Sequence, residues 1–213
     1  MANPVAPPDS VVTWAVQRGQ CDGAVGRGRM VQAERERSGH RRGLVVMGVS
    51  GSGKSTLAAC LAERLGCPFL EGDSFHSATS VTKMRSGHPL EDGDRWPWLD
   101  RLGAAIGDAA SGAGHGGIAV AACSALKRVY RERLSAASAV PLAFVLLETM
   151  PAEIARRLAT REGHYMPASL LDSQLATLER PGPDEHALTL DAGRTPDALA
   201  ADVVAWLGIA PPA

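Results

Sequence analysis

Gly48-Val49-Ser50-Gly51-Ser52-Gly53-Lys54-Ser55-Thr56 satisfies the spacing Gly, four residues, Gly-Lys-Ser/Thr, and the rest of the chain is read relative to it. A polyphosphate needs many donors at close range, and glycines let backbone N–H groups converge without Cβ obstruction. Upstream, Leu44-Val45-Val46-Met47 is a short apolar run suited to a buried parallel strand. Downstream, Leu57, Ala58, Leu61 and Leu65 recur at helical spacing from Ser55. Strand, loop and helix together separate a phosphate loop from a chance Gly/Ser-rich turn. Gly48, Ser50, Gly51, Ser52, Gly53, Lys54, Ser55 and Thr56 are therefore the expected nucleotide-binding residues. Lys54 would reach the terminal phosphates, and the Ser55 hydroxyl would ligate Mg²⁺.

The chain has 213 residues, 45% of them hydrophobic, which suits one α/β domain with a sizeable core. A formal net charge of -1 offers no global electrostatic case for nucleic acid or membrane binding, so an anionic ligand must be held locally. Cys21, Cys60, Cys67 and Cys123 have neither paired nor metal-ligand spacing and read as buried thiols in a reducing compartment. No signal-type leader and no apolar run of membrane-spanning length is present, so a cytoplasmic protein is expected. Residues 1–40 combine prolines, glycines and a charged run with little periodicity. They read as a poorly ordered extension, with the folded domain starting near Arg41 and running to about residue 210.

Strand-like and helix-like segments alternate beyond the loop. Pro68–Leu70, Ile118–Ala122, Leu142–Leu147 and Ala187–Asp191 read as strands. Ser77–Ser86, Pro97–Ser111, Lys127–Ser138, Pro151–Thr160 and Thr195–Leu207 read as helices, with another short helix ending near Leu178. The alternation, with the phosphate loop, predicts a P-loop NTPase-type three-layer α/β/α fold: a five-stranded parallel sheet covered on both faces.

Polar clusters fall where the strands end, the usual ligand-binding edge of such a sheet. In Glu71-Gly72-Asp73-Ser74-Phe75-His76, Asp73 suits the carboxylate that orients an attacking hydroxyl and Glu71 the acid that holds a metal's water shell. A solvated turn is the alternative. Lys83, Arg85, Asp92, Asp94, Arg95 and Trp96-Pro97-Trp98 form a second cluster, in which a basic pair would clamp an acidic substrate, or the tryptophans simply anchor the loop. Lys127 follows the third strand at a helix start, where its charge opposes the helix dipole and asks for an anion; a surface lysine is the other reading. Arg156, Arg157 and Arg161 precede Gly163-His164-Tyr165-Met166-Pro167, as arginines delivered by a moving segment to a transferring phosphoryl group would, or as a charged helix face would. His164 has no partner pattern for metal or triad chemistry.

These motifs resemble those of the gluconate kinase family of phosphate-loop kinases, relatives of the shikimate and nucleoside-monophosphate kinases. The resemblance spans about residues 43–207. It is carried by Gly48–Ser55, Glu71–His76, Lys83-Met84 with Gly87–Leu90, Asp94-Arg-Trp-Pro-Trp-Leu99, Cys123-Ser-Ala-Leu-Lys-Arg128 with Tyr130-Arg131, and Arg161–Pro167 with Ser173-Gln174 and Leu178-Glu179. It implies ATP-dependent phosphorylation of D-gluconate to 6-phosphogluconate, with Mg²⁺ as cofactor and a small mobile lid, at about 161–180, closing over the nucleotide; a homodimer is compatible with it. By the same resemblance Asp73 meets the substrate hydroxyl, His76, Lys83, Arg95 and Lys127 line the sugar-acid pocket, and Arg157 and Arg161 serve the phosphates. Lys54, Asp73, Arg157 and Arg161 are then the catalytic set, with Ser55 and Glu71 at the metal. Two positions depart from the family pattern His-Pro-x-x-Asn: Ser77 stands for the proline and Ser80 for the asparagine.

The nearest rival is a kinase for another small hydroxy acid such as shikimate or glycerate, since one scaffold serves several acceptors. A nucleotide-dependent regulatory protein is a further alternative, but neither an Asn-Lys-x-Asp nor an Asp-x-x-Gly motif stands in suitable context for a guanine-nucleotide switch.

Overall fold

The computed structural model of the chain describes residues 41–112, 116–150, 153–154 and 168–209. Its elements are β1 (Arg42–Met47), α1 (Lys54–Leu65), β2 (Phe69–Glu71), a 3₁₀ turn (Gly72–Phe75), α2 (Ala78–Arg85), α3 (Asp92–Ser111), β3 (Ile118–Ala122), α4 (Arg128–Ala137), β4 (Leu142–Glu148), α5 (Ala168–Thr177), β5 (Ala187–Asp191) and α6 (Pro196–Leu207). The strands form a five-stranded parallel sheet in the order β2-β3-β1-β4-β5.

The side-chain alternation of a strand explains the two helical layers. Leu44 and Val46 of β1 turn to one face, where α1 and α6 cover them with Leu57, Leu61, Leu199 and Val203. Val45 and Met47 turn to the other, beneath Trp98, Leu102 and Ile106 of α3 and Tyr130 and Leu134 of α4. Both faces are buried, hence the unbroken apolar runs in β1, β3 and β4. α3 and α4 approach closely because Gly103 and Gly107 face α4 and the turn after it. A Cβ on Gly103 would lie 2.7 Å from the Leu134 carbonyl oxygen, and one on Gly107 2.7 Å from the Ala139 nitrogen.

One helix boundary differs from the sequence reading. The helix expected from Pro97 begins at Asp92, and Pro97 lies inside it. A reciprocal capping box explains the earlier start: the Glu91 side chain accepts from the Asp94 backbone, and the Asp94 carboxylate accepts from the Glu91 N–H at 2.8 Å. The cysteines differ in part as well, since Cys123 is buried whereas Cys60 and Cys67 are only half-buried. Cys21, the extension over residues 1–40 and all of the expected helix at Pro151–Thr160 except residues 153–154, which are helical, lie outside the described residues. No helix among the described residues is long and apolar enough to cross a membrane.

Candidate active site

The phosphate loop leaves the central strand β1 and enters α1. Gly48, Gly51 and Gly53 have φ of 140°, 78° and 97°, which a side chain would strain. At Gly48 space is also lacking, because a Cβ would stand 2.8 Å from the Leu147 carbonyl oxygen. Gly53 starts α1 without a side-chain cap, and a helix start of this kind suits an anion. Lys54 Nζ donates to the Val49 carbonyl at 3.0 Å, folded back along the rim of the loop. Donors, glycine geometry and helix start fit a polyphosphate.

α5, which falls in the segment read as a lid, contacts this loop. The Ser50 N–H donates to Gln174 Oε1 at 2.7 Å, and Val49 packs in a small apolar cluster with Leu126, Ile154 and Leu171, flanked by Leu175 and Leu178. Gln174, named in the resemblance without a role, touches the phosphate loop, and spacing alone did not reveal this because its partner lies 124 positions away.

β2 ends at Glu71, half-buried, and the 3₁₀ turn that follows presents Asp73 to solvent. Buried Trp98 of α3 donates its indole N–H to the Gly72 carbonyl at 2.7 Å, and Arg101 Nη2 donates to the Phe75 carbonyl at 2.8 Å. Trp98 thus anchors the loop, as one sequence reading held. His76 stacks on Trp98 with ring centroids 4.1 Å apart and 20° between planes. Burial pushes its pKa below the ordinary 6.5, opposed by Asp73 and reinforced by Arg95 and Arg101. The ring is therefore neutral at neutral pH, and its buried Nδ1 has no hydrogen-bond partner among the described residues. Asp73, Glu71 and Lys54 all lie within electrostatic reach of Cys123 at the end of β3. Burial drives that thiol up to about 12, the two carboxylates push the same way and Lys54 opposes them. The phosphate loop and the acidic turn therefore share one edge of the sheet.

The segment from Cys123 to Lys127 borders this edge. The Gly48 N–H donates to the Ser124 carbonyl at 3.3 Å, and Ala125 is fully buried with φ 42°, a strained conformation for a residue with a Cβ. Arg131, 1% exposed, braces the turn from beneath. Its Nη1 donates to the carbonyls of Ala125, Leu126 and Glu179, while Nε and Nη2 pair with Glu185 at 2.5 and 2.9 Å. The Glu179 N–H donates to the Leu126 carbonyl at 2.8 Å, so the chain following α5 is tied to the same turn.

The basic residues expected in the acceptor pocket all meet carboxylates. Lys83 Nζ lies 2.7 Å from Asp94 Oδ2 and 3.7 Å from Glu91 Oε1, Lys127 Nζ 3.2 Å from Asp92 Oδ1, and Arg95 Nη1 3.5 Å from the same atom. The hydrogen bond to Asp94 raises the Lys83 pKa and the one to Asp92 raises that of Lys127. The Tyr130 hydroxyl, then Lys127, lowers Asp92. Lys127, the N-cap of α4, has therefore found its anion in Asp92. Arg85 is exposed, and no role in the site follows for it.

The two departures from the family pattern meet each other. Ser77 caps α2 by accepting from the Ser80 N–H at 3.1 Å, and the two hydroxyls are 2.9 Å apart, with Ser80 buried. Arg156, Arg157, Arg161 and His164 lie outside the described residues. Among the described residues no group of three or more His, Cys, Asp or Glu is arranged to hold a metal. One hydroxyl and one carboxylate, as in Ser55 and Glu71, suit Mg²⁺ shared with substrate phosphates, since that ion keeps several waters and takes few protein ligands.

A profile for a family described as an AAA domain matches residues 44–181. The gluconokinase of Gluconobacter oxydans (strain 621H) is 50% identical over 163 residues, covering 76% of this chain and 89% of that protein. Among solved structures, an unliganded sugar kinase from Janibacter sp. HTCC2649 superposes with a TM-score of 0.71 at 44% identity, covering 80% of this chain and 96% of that one. A gluconokinase from Sinorhizobium meliloti 1021 superposes with a TM-score of 0.69 at 41% identity, covering 79% and 93%.

Proposed function

This chain belongs to the gluconokinase family and phosphorylates D-gluconate; we infer that it uses ATP with Mg²⁺, forms 6-phospho-D-gluconate, and divides the work among the residues below. The observation that carries the division is the shared sheet edge: in the parallel order β2-β3-β1 the acidic turn leaves the end of β2 and the phosphate loop the end of β1, with β3 alone between them.

The nucleotide's phosphates bind the backbone N–H groups of Gly51–Thr56, and Lys54 swings from the Val49 carbonyl to the terminal phosphates. Asp73 accepts a hydrogen bond from the acceptor hydroxyl, aligns its lone pair with the terminal phosphorus and receives its proton as the new oxygen–phosphorus bond forms and the bond from that phosphorus to the bridging oxygen breaks, ADP leaving with the electron pair. Ser55 and Glu71 would hold Mg²⁺, which when bound would neutralise charge on the phosphate oxygens. Neutral His76, flat against Trp98, lines the pocket together with Lys83, while Arg95 and Lys127 attract the substrate carboxylate. Arg157 and Arg161 neutralise the transferring group. Gln174 ties α5 to the phosphate loop through the Ser50 N–H.

ADP release by the purified protein with Mg·ATP tests this, with D-gluconate, shikimate, glycerate and no acceptor compared. Turnover dependent on gluconate is expected. Turnover on shikimate or glycerate alone would keep the kinase and refute the acceptor pocket.

A further inference from the structure

Asp92 is the first residue of α3, where a carboxylate ordinarily serves the helix start. Asp94 does serve it, because its Oδ2 closes the capping box while holding Lys83. The hydrogen bonds of Asp92 run elsewhere: both its oxygens lie 3.2 Å from Lys127 Nζ, and Oδ1 accepts from the Tyr130 hydroxyl. Arg95 reaches Oδ1 as well, and the Tyr130 ring faces both cations, 5.3 Å from Arg95 Cζ and 5.4 Å from Lys127 Nζ. The three charged side chains stay open to water, Arg95 at 25%, Lys127 at 31% and Asp92 at 45% exposure, so an anion arriving from solvent meets the same guanidinium and ammonium groups.

We propose that Asp92 is a specificity-determining residue, a resident carboxylate that occupies the Arg95–Lys127 pair until the carboxylate of the sugar acid displaces it. The inference rests on the assignment of those two cations to the acceptor pocket, and Asp92 has no role in that assignment. Two cations and one carboxylate leave one net positive charge, which suits a singly charged acid. Without Asp92 the pair would present two, and would hold gluconate and other anions more tightly. Asp92 also repels the carboxylate that has displaced it, which speeds release of the product.

The test compares full-length wild type with Asp92→Asn, using the KM for D-gluconate and the inhibition constant of D-gluconamide, the neutral amide bearing the same hydroxyls. Loss of the competing carboxylate is expected to raise the preference for gluconate over gluconamide about tenfold, through a lower KM for gluconate and with steeper weakening by salt. An unchanged or lower preference overturns the proposal and makes Asp92 a group that merely orients Lys127 or binds a sugar hydroxyl. Asp92→Ser, which likewise removes the charge with a small polar side chain, repeats the measurement should the Asn variant fold poorly. Lys127→Met separates premise from proposal. A raised gluconate KM there supports the pocket, so that a null result with Asp92→Asn condemns the role of Asp92 alone. An unchanged KM removes the pocket and the proposal with it.

Discussion

Asp73 is an exposed carboxylate on a pinned turn, and its assigned work is on the acceptor rather than the nucleotide. Asp73→Asn keeps the shape and loses the base, so kcat should fall by roughly two to four orders of magnitude while nucleotide affinity holds. Parallel loss of nucleotide binding, measured by titration, would reject the role. His76 makes a second residue-scale prediction. Its folded pKa lies below the unfolded value of about 6.5, so folding favours the neutral ring. That contribution is complete above pH 6.5 and is lost as the pH falls through 6.5 toward the lowered folded value. In urea melts, wild type should lose stability relative to His76→Gln as the pH falls over this window, at less than the one-proton ceiling of ~1.4 kcal/mol per pH unit. Parallel pH profiles for the two proteins would show that the ring is not held neutral.

Helix starts and buried braces set the predictions for elements. Ser77→Ala removes the N-cap of α2 and should cost ~1 kcal/mol by chemical denaturation, consistent with a serine in place of the family's proline being sustained by its bond to Ser80. Arg131→Met leaves the largely buried Glu185 without its arginine, bonded still to the Gly182 N–H, and frees the strained turn at Ala125. A loss of about 3–5 kcal/mol is expected, accompanied by a higher KM for gluconate; a change under ~1 kcal/mol would show that the pair is dispensable. Legibility divides along the same line. The phosphate loop and the strand and helix alternation were readable because each is written in adjacent residues with a fixed period. Glu91-x-x-Asp94 was equally local, yet Pro97 drew the helix start onto itself. Arg131 with Glu185 and Ser50 with Gln174 join positions 54 and 124 residues apart, and neither pairing leaves a periodic trace. Of the expected acceptor residues, the motifs supplied identities and the fold supplied their partners: the cations were legible, but their engagement by Asp92 and Asp94 was not.

For the molecule as a whole, the nucleotide should stabilise the fold by linkage, since the loop exists only when β1 is in place. A non-hydrolysable ATP analogue with Mg²⁺ at 100 times its Kd should add ~2.7 kcal/mol and raise Tm, and Lys54→Ala should blunt that shift. An undiminished shift in the variant would count against the phosphate loop as the binding site. The strand order carries a further consequence. β1 is hydrogen-bonded on one side to β3, Arg42 opposite Ile118, and on the other to β4, Gly43 opposite Leu142, so its neighbours arrive long after it in synthesis. Both ladders close large loops before they return any energy, which gives this chain a high contact order and slow folding. A nascent polypeptide that has emerged only as far as α4 already carries the complete phosphate motif, but one edge of its strand is still bare. Nucleotide affinity should therefore appear on the ribosome only after residue 148 has cleared the exit tunnel, and N-terminal fragments ending short of it should be prone to pair edge to edge.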